Sequence, residues 1–294
     1  MTTEWKGKSR GTVLGYRIFV FSMKKFGLGV AYFILCFVAF YYCLFARENS
    51  RSIYYYFRKR LKYSKFGSLV SIYRSYYVFG QTIIDKVAIS SGMRDRFTYE
   101  FDGIENIQDT LKQKKGGVLL SAHVGNFEIS EHFFGDLKEK TSISLLTNDI
   151  EHTAIREYLD SVTRKSDINF ILIREDLSHI FEINAALARN EIVCITGDRF
   201  VKGAKYVTCD FIGKEARFPA GPFLLASRLN VPVLFVFVMR EKGRHYHLYA
   251  RKAKAGKRDS EALLKEYAES VARILEKYPL QWFNYFDFWG TGNK

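Results

Sequence analysis

Apolar and polar positions change rhythm twice along this chain. Residues 26–46, FGLGVAYFILCFVAFYYCLFA, contain no charged side chain. As a helix this run would measure about 31 Å, enough to cross a hydrocarbon core. A buried core helix is the competing reading, although such helices seldom run so far without a polar face. The run is too long for the apolar core of a signal peptide, and no small-x-small site follows it. Residues 52–87 then mix Tyr and Phe with Lys and Arg. That mixture suits an interfacial helix, with rings at headgroup level and cations on lipid phosphates. It would also suit stacking on bases and contact with nucleic-acid phosphates, but the position directly after the apolar run favours lipid. An ordinary helix with a solvated basic face is the plainer alternative.

From residue 97 onward, short apolar runs alternate with helical periodicity. Strands are expected at 116–122, 143–147, 169–173, 191–197 and 231–239, with an edge strand at 245–250. Helices are expected at 154–163, 177–187, 221–229 and 261–277. Strands alternating with helices imply an α/β sheet covered on both faces. The division that follows is a membrane anchor at 1–50, basic aromatic interfacial helices at 51–96 and an α/β domain at 97–294.

Charge and cysteine usage sharpen this picture. The formal net charge of +14 calls for an anionic partner, whether nucleic acid, an anionic membrane or a phosphorylated substrate. Basic residues flank the apolar run on both sides, so the positive-inside rule assigns no orientation. Symmetric flanks suit a segment that dips in and stays on the cytoplasmic side, and a single span stays open. Cys36, Cys43, Cys194 and Cys209 form no C-x-x-C pair. They make no disulfide framework and fit a reducing compartment.

The stretch Ser121-Ala-His123-Val-Gly-Asn126-Phe-Glu128 carries the candidate chemistry. A strand ends before His123, Gly125-Asn126 makes a turn, and Asn126 is a good N-cap for a helix with Glu128 in its first turn. This puts an imidazole at the carboxyl edge of the sheet, where open α/β folds hold their ligands. A neutral histidine oriented by a carboxylate can deprotonate a hydroxyl, which then attacks an activated carbonyl such as a thioester. No cofactor or covalent intermediate is needed for that step. A metal reading competes, because His132 lies four residues beyond Glu128 and could join it and His123 as ligands.

HVGNFE resembles the H-x4-[DE] motif of the lipid A biosynthesis acyltransferases, the late lauroyl/myristoyl acyltransferase family. Three further runs resemble the family in order and spacing: Thr196-Gly-Asp198-Arg199, Phe218-Pro219-Ala-Gly221-Pro222 and Pro279-Leu-Gln281-Trp282. The resemblance covers essentially the whole chain. It implies a glycerol-phosphate-acyltransferase-like α/β fold, a central sheet flanked by helices, behind a hydrophobic anchor helix. It implies acyl carrier protein or coenzyme A as acyl donor, no cofactor, and a site on the cytoplasmic face of a bacterial inner membrane. His123 would be the base and Glu128 its orienting partner. Asn126, Asp198 and Arg199 would line the substrate channel, and Arg164 would contact phosphate. Phe218, Pro219, Gly221 and Pro222 would shape the pocket.

Plainer readings stand beside these. Asp198 could cap a turn or pair with Arg199, the prolines could stiffen a loop, Arg164 could be a solvated charge, and residues 281–289 could be packing. The chain also departs from the family pattern. Arg199 stands where Gln often follows the Asp, and FNYFDFW lacks the basic residues often found near that C-terminus. The acceptor is therefore a lipid A precursor or another lipid with a free hydroxyl, such as an acylated amino-acid lipid or a lysophospholipid. The expected partners are this lipid, acyl carrier protein and an anionic membrane surface, with no nucleic acid. The rivals are a thioesterase or lipid hydrolase using the same pair, and a non-enzymatic binding protein.

Overall fold

The computed structural model describes residues 13–130, 132, 142–147, 168–174, 176–199 and 203–290. Their frame is a seven-stranded sheet in the order β1-β9-β8-β2-β5-β3-β4. The strands are β1 (Thr98–Asp102), β2 (Gly117–Ser121), β3 (Ile143–Thr147), β4 (Ile168–Leu172), β5 (Ile192–Thr196), β8 (Val233–Arg240) and β9 (His245–Lys252). All neighbours run parallel except β8 and β9. A separate antiparallel hairpin joins β6 (Tyr206–Asp210) to β7 (Glu215–Pro219).

Every residue of β2 is buried, as a strand covered on both faces requires. Val118 and Leu120 point into one core, with Val193, Ile195, Phe235 and Phe237. Leu119 points into the other, with Ile192, Cys194, Leu234 and Val236. Each such side chain removed from water contributes about 1.5–3 kcal/mol. The first face is covered by α6 (His179–Ala188), α7 (Ala220–Arg228) and α8 (Ser260–Lys277). The second is covered by α1 (Val13–Phe26), α2 (Leu28–Phe45), α4 (Lys65–Ala88) and α5 (Ile104–Lys112).

The apolar run of residues 26–46 thus becomes α2, bounded by Gly27 and Ala46. It is the one described helix long and apolar enough to cross a membrane, with a mean hydropathy of 2.2. It is also half a core element. Leu28, Ala31, Leu35 and Ala39 form its buried stripe, and Gly80 of α4 makes the close approach possible. A Cβ at Gly80 would stand 2.2 Å from Leu35 Cδ1. The outer face exposes Phe33, Phe37, Phe40, Tyr41, Leu44 and Phe45, continued by Leu14, Ile18 and Phe21 of α1.

The stretch 52–87 is helical almost throughout. It divides into α3 (Arg47–Tyr55), a π-helical turn (Tyr56–Arg60) and α4. Only Phe66, Leu69 and Val70, at the start of α4, are large apolar side chains turned outward. Tyr56 and Tyr76 are core residues, with ring centroids 4.8 Å from Trp282 and 5.2 Å from Tyr285. Much of the aromatic content of this stretch therefore packs against the C-terminal segment. Composition alone does not distinguish an aromatic ring meeting lipid from one meeting another ring.

Elsewhere the expected strands appear within two residues of their boundaries. β1, α5 and the β6–β7 hairpin went unanticipated; β6 alternates only between exposed and half-buried positions, so no buried apolar run marks it. The helix expected at 154–163 lies outside the described residues.

Candidate active site

Two parallel neighbours, β2 and β5, create the site at their carboxyl ends. Their register pairs Ser121 with Thr196, so the residues two further on, His123 and Asp198, emerge side by side. Gly197 permits this. A Cβ there would lie 3.0 Å from both Phe223 of α7 and Tyr267 of α8.

Asp198 is 2% exposed, and both of its oxygens are committed. Oδ1 accepts from His123 Nδ1 at 2.7 Å. Oδ2 accepts from the His123 backbone N–H at 2.9 Å and from Asn284 Nδ2 at 2.7 Å. Arg199 completes the shell, donating to Asn284 Oδ1 at 2.7 Å and to the Phe283 carbonyl at 2.6 Å. An ionised carboxylate at Nδ1 places the imidazole proton there, which leaves the Nε2 lone pair for chemistry. The His123 side chain is 31% exposed, so the imidazole is open to a reactant.

The electrostatics keep this imidazole neutral. Burial lowers the His123 pKa and the charge of Arg199 lowers it further, outweighing the pull of Asp198 and Glu128 in the other direction. Burial raises the Asp198 carboxyl, but the imidazole, its hydrogen bonds and Arg199 win and hold it below the usual carboxylate range. Burial brings the Arg199 guanidinium down to about 10, against Asp198, so it remains charged at neutral pH.

The loop after His123 is held by its backbone. Gly125 N–H donates to the Gln281 carbonyl at 2.9 Å, Asn126 N–H to Val238 at 2.7 Å, and Phe283 N–H to the His123 carbonyl at 2.9 Å. Gly125 has φ +61, and a Cβ there would lie 2.1 Å from the Val238 carbonyl oxygen. Asn126 was expected to cap a helix. It instead precedes a 3₁₀ turn (Phe127–Ile129), its side chain makes no cap bond, and it donates to the Thr82 carbonyl at 2.9 Å.

A family model described as bacterial lipid A biosynthesis acyltransferase matches residues 71–289. The chain belongs to that family. It is an acyltransferase, and the family implies a lipid acceptor. A search of curated proteins finds no match to the chain. Lipid A acyltransferases are membrane-associated, and the apolar outer face of α1 and α2 is in keeping with that.

Within the acyltransferase, His123, Asp198 and Arg199 come together. Glu128 was expected to orient His123, yet the carboxylate bonded to Nδ1 is that of Asp198. Glu128 makes an ion pair with Lys86 of α4. The Lys86 charge, ahead of the others, lowers its pKa, and its own charge reaches His123 through space. His132 bonds Ser90 Oγ at 3.1 Å, so the three residues of the metal reading each have other partners. The metal-capable group found among the described residues is Glu100, Glu241 and His245, at the β1–β9 edge. Phe218 is core, packed on Phe211, Tyr267 and Phe288. Pro219 ends β7 in the buried interior, while Gly221 and Pro222 lie in the first turn of α7. Arg164 lies outside the described residues.

Sequence reasoning missed Asn284 and Lys86. The run after Trp282 reads as aromatic packing, and a lone asparagine within it carries no pattern of its own.

Proposed function

We propose that this acyltransferase moves a fatty acyl group from the thioester of acyl carrier protein or coenzyme A to a hydroxyl of a lipid A precursor or related membrane lipid. The observation that carries the reading is the His123 Nδ1–Asp198 Oδ1 bond at 2.7 Å, at the carboxyl edge of the sheet. Nε2 of His123 takes the hydroxyl proton as the oxygen attacks the thioester carbonyl. The collapsing intermediate expels the thiolate, which takes up the proton from the imidazolium. Asp198 holds the tautomer and stabilises the imidazolium. Glu128, paired with Lys86, supports the same charge through space. The face formed by α1, α2 and the start of α4 seats the enzyme on the bilayer, with the site on the cytoplasmic side. The net positive charge favours anionic lipid and an acidic carrier protein.

Lipid profiling by mass spectrometry of a deletion strain tests this reading. One lipid class should lose a single acyl chain, and the wild-type gene should restore it. An unchanged lipid profile would count against transfer, and acceptor-independent release of fatty acid by the purified enzyme would favour hydrolysis instead.

The acid limb of kcat/KM follows from the His123 environment. A base must be neutral to act, and a lowered folded-state pKa keeps it neutral to lower pH. The rate should therefore hold below pH 6.5, the ordinary histidine value, and fall only as pH drops through the lowered pKa. A pH–rate profile with its acid limb centred above 6.5 would contradict this.

A further inference from the structure

Asp85 of α4 is wholly buried and lies outside the site just described. Its Oδ2 accepts from Arg240 Nε at 2.7 Å and from the Tyr246 hydroxyl at 2.6 Å. Its Oδ1 accepts from the hydroxyl of Tyr32 on α2. Two routes run from this carboxylate to the loop that carries His123. In the first, the Tyr246 oxygen accepts from Asn126 Nδ2 at 3.3 Å, and the same amide reaches the Thr82 carbonyl, one turn before Asp85. In the second, Gln281 clasps the Arg240 backbone, its Oε1 accepting from N–H at 2.9 Å and its Nε2 donating to the carbonyl at 2.7 Å. The Gln281 carbonyl in turn accepts from Gly125 N–H at 2.9 Å.

We propose that Asp85 is a positioning residue for acyl transfer, fixing the His123–Asn126 loop through Tyr246–Asn126 and Arg240–Gln281 while Tyr32 ties the same carboxylate to the lipid-facing helix α2. This rests on His123 being the base. A buried ion pair is weak evidence of added stability, because desolvating it offsets much of its attraction. What the pair adds is direction. Its hydrogen bonds admit one placement of β8, β9 and α4 around the loop, where apolar packing would tolerate sliding. Such placement matters, since a misplacement of about 1 Å can cost roughly 10²-fold in rate.

Tyr246→Phe is the sharpest probe, since it deletes one hydroxyl and leaves the Asp85–Arg240 pair. Asp85→Asn is the second variant, and His123→Ala is run beside both. The full chain in detergent micelles would be assayed with dodecanoyl thioesters of both acyl carrier protein and coenzyme A, and a lipid A precursor as acceptor. Rates are normalised to folded protein by thermal unfolding. Tyr246→Phe is expected to lower kcat about tenfold with donor KM unchanged. The acid limb should also move up towards the ordinary histidine value, because a looser loop admits water to the imidazole. Asp85→Asn should do the same to a larger degree. A folded Tyr246→Phe enzyme with wild-type kcat and an unmoved acid limb would overturn the proposal. So would a loss that only tracks unfolded protein. Full activity in His123→Ala would instead remove the base assignment, and the role of Asp85 with it.

Discussion

Replacing His123 by alanine is expected to reduce acyl transfer at least about 10²–10⁴-fold, the usual worth of a positioned general base. What remains would come from binding and orientation alone. The fold should survive, because the backbone N–H and carbonyl of residue 123, which bond Asp198 and Phe283, are untouched by the change. Asp198 would lose one of its three donors and keep those from the residue 123 backbone and Asn284. The check is single-turnover transfer of a labelled acyl chain, with circular dichroism on the same sample. A folded variant at wild-type rate would remove the base from the mechanism.

Asp198→Asn should cost nearly as much, about 10²–10⁴-fold in kcat, for a reason particular to its partners. An asparagine can be placed in two ways. With its amide nitrogen at the Oδ2 position, that N–H₂ faces two donors, the His123 N–H and Asn284 Nδ2, at 2.9 and 2.7 Å. With the nitrogen at the Oδ1 position, it donates to His123 Nδ1 and drives the proton to Nε2, the atom that the proposed mechanism needs unprotonated. The second placement satisfies more bonds, so the variant folds with the wrong tautomer. Glu128→Gln makes the comparison, since Glu128 is bonded to Lys86 and acts on His123 only through space. It should lose far less than Asp198→Asn. The kcat of the two variants decides between the carboxylates, and a larger loss in Glu128→Gln would return the orienting role to Glu128.

Some of this enzyme is legible in one dimension. Strand periodicity is local, because residues alternate across a pleat and a fully covered strand is apolar throughout. That is why β2, β3, β5 and β8 appear near their expected positions. The charge-free run of α2 is equally local. His123 stands out because a histidine directly after an apolar strand falls at the carboxyl edge of a sheet.

The pairing at the site is a different kind of fact. Glu128 is five residues from His123 and Asp198 is 75 away, so sequence distance points to Glu128, whereas the carboxylate bonded to Nδ1 is that of Asp198. Which one meets Nδ1 depends on β2 and β5 lying side by side with Ser121 opposite Thr196, and on Gly125 folding the chain back beneath the Val238 carbonyl. Asn284 reaches Asp198 from 86 residues away, brought there when the C-terminal segment pairs with the His123 loop. Asp85, Arg240 and Tyr246 meet only because α4 packs across β8 and β9. Periodicity, apolar length and the position of a histidine after a strand belong to the sequence, because neighbouring residues alone determine them. Strand register, the choice of carboxylate and the buried network belong to the tertiary structure, because burial decides which distant polar groups must satisfy one another.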